Sequence, residues 1–310
     1  MRIVIPEFMD EQAVSVLARH FDVRYDRSLF ERPAELENAL AAADALIVRN
    51  RTQVTAALLS GASSLAVIGR LGVGLDNIDV DACVARDIKV IPATGANAQA
   101  VAEYVIATAM ILLRGAYAST QQVAGGLWPR AAVSNGRELS GKTLGLIGFG
   151  SIGRLTGRLA RAWGIRVIGY DANLPANASA WSDEATAAKT LDEVLAEADI
   201  VSLHVPLTPQ TRNLIDAARL AKMKTDAVLI NSARGGVVDE AAVAYALRSG
   251  RLGGAALDVF DDEPLKAGSP LADCPNLLLT PHIAGVTRES NVRVSMLIAE
   301  QVAAALAARA

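Results

Sequence analysis

A turn built on three glycines constrains this chain more than any other stretch. Residues 142–154 read Lys-Thr-Leu-Gly-Leu-Ile-Gly-Phe-Gly-Ser-Ile-Gly-Arg. The run from Thr143 to Ile147 has strand length and strand character. Gly148, Gly150 and Gly153 then fall in the spacing G-x-G-x-x-G, and Ile152, Leu155, Leu159 and Trp163 follow at helical spacing. Strand, tight glycine turn and helix together make a dinucleotide fingerprint; the glycines alone would be only a turn. Gly148 takes a turn that a side chain would strain, Gly150 lets the backbone approach a pyrophosphate, and Gly153 lets the helix pack close to the strand. The helix, opening at Ser151 and Ile152, turns unsatisfied N–H groups and its positive dipole end towards phosphate.

A second apolar run, residues 166–170, ends in Asp171, 23 residues after Gly148. An acid at the tip of the second strand can accept both adenosine ribose hydroxyls, and it repels a 2′-phosphate. Ala172 and Asn173 supply no cation for that phosphate. The expected cofactor is therefore NAD rather than NADP.

The length of 310 residues suggests two domains, each with its own core. A net charge of −3 gives no electrostatic case for nucleic acid or an acidic membrane surface. Cys83 and Cys274 form no C-x-x-C, which points to a reduced, cytoplasmic chain without metal. No signal peptide is visible at Met1, and the most apolar run, residues 105–113, is far shorter than the roughly 20 residues of a membrane span.

Strands are expected at residues 2–6, 21–25, 45–48, 65–69 and 89–92. Helices are expected between them: up to His20 behind an Asp10 cap, from Pro33 to Ala42, and over residues 54–60 and 76–86. A long helix is expected over 98–124, followed by a polar loop over 125–138. A second series then begins at the fingerprint, with strands at 144–148, 166–170, 200–205, 227–231, 254–259 and 277–280 and helices between. Residues 173–186 read as a surface loop, and 288–308 as a final helix. Such alternation demands α/β architecture: parallel, doubly wound sheets with helices on both faces.

Transfer of a hydride to or from an alcohol carbon needs an acid/base, a residue to orient it and a cation for a substrate anion. Ligands of open α/β sheets bind at the carboxyl ends of the strands. Three such ends offer Arg234, in Asn-Ser-Ala-Arg-Gly-Gly; Glu263, in Asp-Val-Phe-Asp-Asp-Glu-Pro; and His282, in Thr-Pro-His-Ile-Ala-Gly. His204, before Val205 and Pro206, also ends a strand on the cofactor side and reads as pocket wall rather than catalyst. His20 reads as a surface residue.

With these motifs in order, the chain resembles the D-isomer-specific 2-hydroxyacid dehydrogenases over essentially its full length. The resemblance implies that His282 is the acid/base, that Glu263 hydrogen-bonds it, and that Arg234 holds the substrate carboxylate and carbonyl. It implies cofactor contacts from Gly148, Gly150, Ser151, Ile152, Gly153, Asp171, His204, Pro206, Ala233, Asp258 and Gly285, with Asp258 on the nicotinamide amide. The stretch from Arg70 to Asp79 is similar to the family's substrate loop, which implies backbone N–H groups of Val73 and Gly74 near the carboxylate. The family pattern also implies a Rossmann NAD-binding domain, residues 97–285, inserted into a flavodoxin-like substrate domain, residues 1–96 and 286–310. Hinges near Ala96 and Gly285 and a homodimer through the long helix belong to the same pattern.

The choice of 2-hydroxy or 2-keto acid falls to the first domain. Arg49, Asn50 and Arg51 follow a strand end, and Asn97 lies near the hinge. The region resembles 3-phosphoglycerate dehydrogenases. It also resembles sulfolactate dehydrogenases, in Glu-Phe-Met-Asp at 7–10 and Thr-Gly-Ala-Asn at 94–97. Either substrate carries a second anion, for which Arg49 or Arg51 is a candidate, and either arginine could equally sit in a surface salt bridge. That no regulatory domain follows residue 310, unlike in many 3-phosphoglycerate dehydrogenases, weakens that choice. Trp128 is a candidate cover of the pocket from a partner subunit. A hydroxypyruvate or glyoxylate reductase is the alternative enzyme, and a non-catalytic NADH sensor is the alternative of another class.

Overall fold

The structure, a computed structural model, describes residues 1–184 and 186–309. Ala185, in the expected surface loop, and Ala310, at the end of the expected substrate domain, lie outside the described residues. The chain forms two compact units: Met1–Asn97 together with the chain from Val286 onward, and Ala98–Gly285.

The first unit is built on five parallel strands: β1 (Arg2–Ile5), β2 (Asp22–Tyr25), β3 (Ala45–Val48), β4 (Val67–Arg70) and β5 (Lys89–Pro92). They lie in the order β2-β1-β3-β4-β5. Side chains alternate across the sheet, so each face gets its own core. Ile3, Ile5, Ala45 and Ile47 meet Leu17, Ile298, Val302 and Leu306 on one face. Val4, Leu46 and Val48 meet Leu36, Leu40, Leu59 and Cys83 on the other. Asp10 caps the helix Glu11–Ala18 by accepting from the Gln12 N–H, as its sequence position suggests. The helix expected over 76–86 is only Val80–Val84, because Asp79 is its N-cap and accepts from the Ala82 N–H. The final helix, Arg288–Ala307, opens on a capping box between Thr287 and Ser290 and lies in this unit.

The second unit holds seven parallel strands: β6 (Thr143–Ile147), β7 (Arg166–Tyr170), β8 (Ala187–Ala188), β9 (Ile200–Leu203), β10 (Val228–Asn231), β11 (Gly254–Leu257) and β12 (Leu277–Leu279). Their order is β12-β11-β10-β9-β6-β7-β8. The chain leaves β6 towards β7 on one side and returns to β9 on the other, so the topological switch point lies between β6 and β9. Leu144, Leu146, Val228 and Ile230 pack on Val105, Ala109 and Leu112, while Val201, Leu203 and Leu229 pack on Val194, Val243 and Leu247.

Two expectations change in this unit. The long helix ends at Arg114, because Gly115 takes a left-handed φ of 64°. A 3₁₀ turn and a short helix, Thr120–Ala124, continue at an angle of 64°. The expected loop at 173–186 contains a helix, Ser179–Asp183, whose Trp181 is buried with its ring stacked 4.3 Å from that of Phe149. Among the described residues no single helix is long and apolar enough to cross a membrane.

Candidate active site

The fingerprint sits where the sheet order requires a ligand. Gly148 follows β6 with φ 98°, in the left-handed region that side chains avoid. A Cβ there would lie 2.4 Å from the His204 carbonyl oxygen, so only glycine lets the ends of β6 and β9 meet at the switch point. Beside Gly150 there is open space. The helix Ser151–Ala162 that follows has no side-chain cap, unlike most other helices of the chain. An uncapped amino end with room in front of it fits a pyrophosphate. Asp171, one residue past β7, accepts from the N–H groups of Phe149 and Asn173 at 2.7 and 2.8 Å. A carboxylate has about four acceptor positions, so both oxygens retain capacity for ribose hydroxyls.

His204 follows β9, and its Nε2 lies 3.0 Å from the Ser202 hydroxyl. Burial holds its imidazole down at about 4, so it is neutral near pH 7. Pro206 follows in the same loop, and its carbonyl accepts from the Thr211 hydroxyl at 2.7 Å.

Arg234, Glu263 and His282 leave the carboxyl ends of β10, β11 and β12, three neighbours in the sheet. The buried Asn231 staples the first loop: its amide accepts from the Ala233 N–H and donates to the Arg234 carbonyl, at 3.1 and 3.0 Å. A Cβ on Gly235 would stand 1.7 Å from the Phe260 carbonyl oxygen, so the loops after β10 and β11 touch only because that residue is glycine. Glu263 accepts from the Phe260 N–H at 3.1 Å through Oε1 and pairs with His282 Nδ1 at 2.7 Å through Oε2. Both side chains are partly open to solvent, at 50% for His282 and 37% for Glu263. Nδ1 is thereby engaged with Glu263.

His282 has φ 55°, unusual for a residue with a Cβ. Asp258, 1% exposed, supports the loop that carries it. Its carbonyl accepts from the His282 N–H at 2.8 Å. Its Oδ1 takes the Thr280 hydroxyl at 2.6 Å and the Ile283 N–H at 2.8 Å, and its Oδ2 takes the Ala284 N–H at 2.8 Å. Because Thr280 spends its proton on Asp258, the Tyr104 hydroxyl, 2.7 Å away, donates to Thr280. Burial pushes the Tyr104 phenol up, which keeps it a donor. These bonds make Asp258, for which the resemblance implies a nicotinamide contact, also a clamp on the His282 loop. Gly285 closes this unit after the buried Ala284.

The other residues expected at the substrate lie in the first unit. Val73 is exposed and Gly74 partly so, in the loop after β4; Asn97 ends the loop after β5. The turn after β3 separates the two arginines. Arg49 is half-buried, with its guanidinium 5.5 Å from the centre of the Phe8 ring and Nη2 donating to Asn291 at 3.2 Å. Arg51 lies 5.0 Å over the Phe30 ring and 3.9 Å from Glu31, with 65% of its side chain exposed. The motif reading missed Glu7, Tyr104 and Thr280 as supports of this architecture. The signal for Glu7 is an acid directly after a buried apolar strand and proline; Tyr104, in a helix of ordinary apolar pattern, gives none.

Residues 106–284 match the model of the D-isomer specific 2-hydroxyacid dehydrogenase, NAD binding domain. The chain belongs to that family. It is 51% identical over 308 residues to an (S)-sulfolactate dehydrogenase of Chromohalobacter salexigens, covering 99% of both chains. It is 38% identical to a D-3-phosphoglycerate dehydrogenase of Methanocaldococcus jannaschii, covering 97% of this chain but 57% of that one. A D-lactate dehydrogenase of Aquifex aeolicus, solved with NAD and lactic acid, superimposes with a TM-score of 0.80 at 29% identity, over 99% of this chain and 96% of that one. The protein is an NAD-dependent oxidoreductase that moves a hydride between a nicotinamide cofactor and a 2-hydroxy or 2-keto acid.

Proposed function

We propose that the substrate is a short 2-hydroxy acid with a second strong anion, of the sulfolactate type, and that Arg49 reads that anion. The observation that carries this reading is the different fate of the two arginines. Arg51 is solvated and faces Glu31. Arg49 is half-buried between Phe8 and Asn291, and burial lowers its guanidinium pKa, only partly offset by the Glu7 charge. A partly desolvated cation held by a ring and an amide is poised for an anionic ligand. One such cation suits the single charge of a sulfonate better than a phosphate monoester, which carries about −1.5 to −2 at pH 7. The 51% identity to a sulfolactate dehydrogenase supports the same choice.

In this reading Arg234 holds the carboxylate with its planar guanidinium fork. His282 gives the Nε2 proton to the carbonyl oxygen during reduction and takes it back during oxidation. Glu263 keeps the Nδ1 proton and so fixes which nitrogen acts. Bound NADH supplies the hydride.

The test is reduction of sulfopyruvate, 3-phosphohydroxypyruvate, hydroxypyruvate, glyoxylate and pyruvate by NADH. Sulfopyruvate is expected to lead in kcat/KM. Arg49→Ala is expected to lower its advantage over pyruvate by about 10²-fold, the weight of a charge-assisted pair near 3 kcal/mol. A wild-type enzyme that prefers pyruvate or glyoxylate ends the reading.

Two coarser traits complete the proposal. Tyr117, Leu127 and Trp128, 66%, 62% and 79% exposed, favour a homodimer that covers them. The free thiols Cys83 and Cys274 favour the reducing cytoplasm.

A further inference from the structure

We infer that Glu7 is a positioning residue, one that fixes the turn carrying Arg49 and thereby sets discrimination for the second anion. The inference rests on the reading of Arg49 given above. Glu7 lies in the loop after β1, and its carboxylate is 3% exposed. Four successive backbone N–H groups converge on it. Oε1 accepts from Arg49 and Thr52, both at 3.0 Å. Oε2 accepts from Asn50 at 3.1 Å and Arg51 at 2.9 Å. Burial pushes this carboxyl up, but the backbone donors of Thr52, Arg51 and Arg49 outweigh burial, and its pKa lies below the ordinary value.

Four N–H groups aimed at one point repel one another and do not stay so without an anion between them. Glu7 is that anion, supplied by the chain itself. The next residue, Phe8, offers its ring to the Arg49 guanidinium. One dipeptide thus grips Arg49 twice, at its backbone N–H by charge and at its head by the ring. The grip extends further, since the Thr52 carbonyl accepts from the buried Asn77 amide at 2.8 Å. Without the carboxylate the turn loses its common acceptor, and the direction of Arg49 is no longer fixed.

The measurement is the ratio of kcat/KM for sulfopyruvate to that for pyruvate, which lacks the second anion. It is made on full-length wild type, Glu7→Gln, Arg49→Ala and the double variant, with NADH affinity by fluorescence titration and melting temperature as controls. Glu7→Gln replaces one acceptor oxygen by a donor of the same shape. It is expected to lower the ratio roughly 10- to 100-fold through the KM for sulfopyruvate, with NADH affinity held within about twofold. Added to Arg49→Ala, it should change the ratio by less than about threefold, because both act through one side chain. Glu7→Asp, one methylene too short to meet all four donors, should fall between wild type and Glu7→Gln, and it serves if the amide variant does not fold. An undiminished ratio in a folded Glu7 variant overturns the inference, as does a double variant whose losses multiply. If Arg49→Ala itself keeps the ratio, the reading of Arg49 fails instead; if Arg49→Ala collapses the ratio and both Glu7 variants keep it, only the role of Glu7 falls.

Discussion

Asp258→Asn tests how the His282 loop is held. The carboxylate accepts from the Thr280 hydroxyl and the Ile283 N–H on one oxygen and from the Ala284 N–H on the other. An amide of the same shape keeps one acceptor. Its cheaper orientation retains the Thr280 and Ile283 bonds and turns an NH₂ group towards the Ala284 N–H. One charge-assisted bond is then lost, and a buried donor faces another donor. With about 1.5–3 kcal/mol for such a bond and about 1–3 for an orphaned buried group, overlapping in part, the cost is about 2–4 kcal/mol. Spent wholly on misplacing His282, that slows turnover about 30- to 1,000-fold. The melting temperature should fall by roughly 5–15 °C. The assay is single-turnover loss of NADH absorbance with a keto acid that the wild type reduces, beside a melting curve. A variant that melts earlier yet turns over within about threefold of wild type, under 1 kcal/mol, refutes the reasoning, since His282 would then be held by other contacts.

Two further outcomes are expected. The His204 imidazole titrates near 6.5 in the unfolded chain and near 4 when folded, so the unfolded chain binds more protons between these values. Its neutral form costs nothing above pH 6.5; stability is lost as pH falls from 6.5 to 4 and levels off below, by up to about 3 kcal/mol. His204→Gln should flatten that part of the melting-temperature profile, and parallel wild-type and variant profiles there count against it. Replacing Leu127 and Trp128 by serine should halve the mass seen by sedimentation if those side chains seal a dimer, and an unchanged mass removes them from any interface.

How much of this was legible beforehand follows from the range of each interaction. Strand and helix periods, the spacing of Gly148, Gly150 and Gly153, and the acid at Asp171 are local, and they fix α/β architecture and a dinucleotide site without knowledge of the fold. The Asp10 cap is equally local. The break at Gly115 was missed because a glycine within an apolar helical run carries no mark of a left-handed φ.

Sequence alone, then, determined the fold class, the cofactor and the three motifs that contain Arg234, Glu263 and His282. The tertiary structure decided what holds them. Strand order made β10, β11 and β12 neighbours. Gly235 let two of their loops touch, and Asp258 met donors 22 to 26 positions away. It also gave different surroundings to Arg49 and Arg51, adjacent but for one residue and alike in chemistry. The turn gripped by Glu7, more than forty positions earlier, leaves one half-buried against Phe8 and the other in water. Such choices depend on which strands lie side by side, and no periodicity within a strand or helix encodes that.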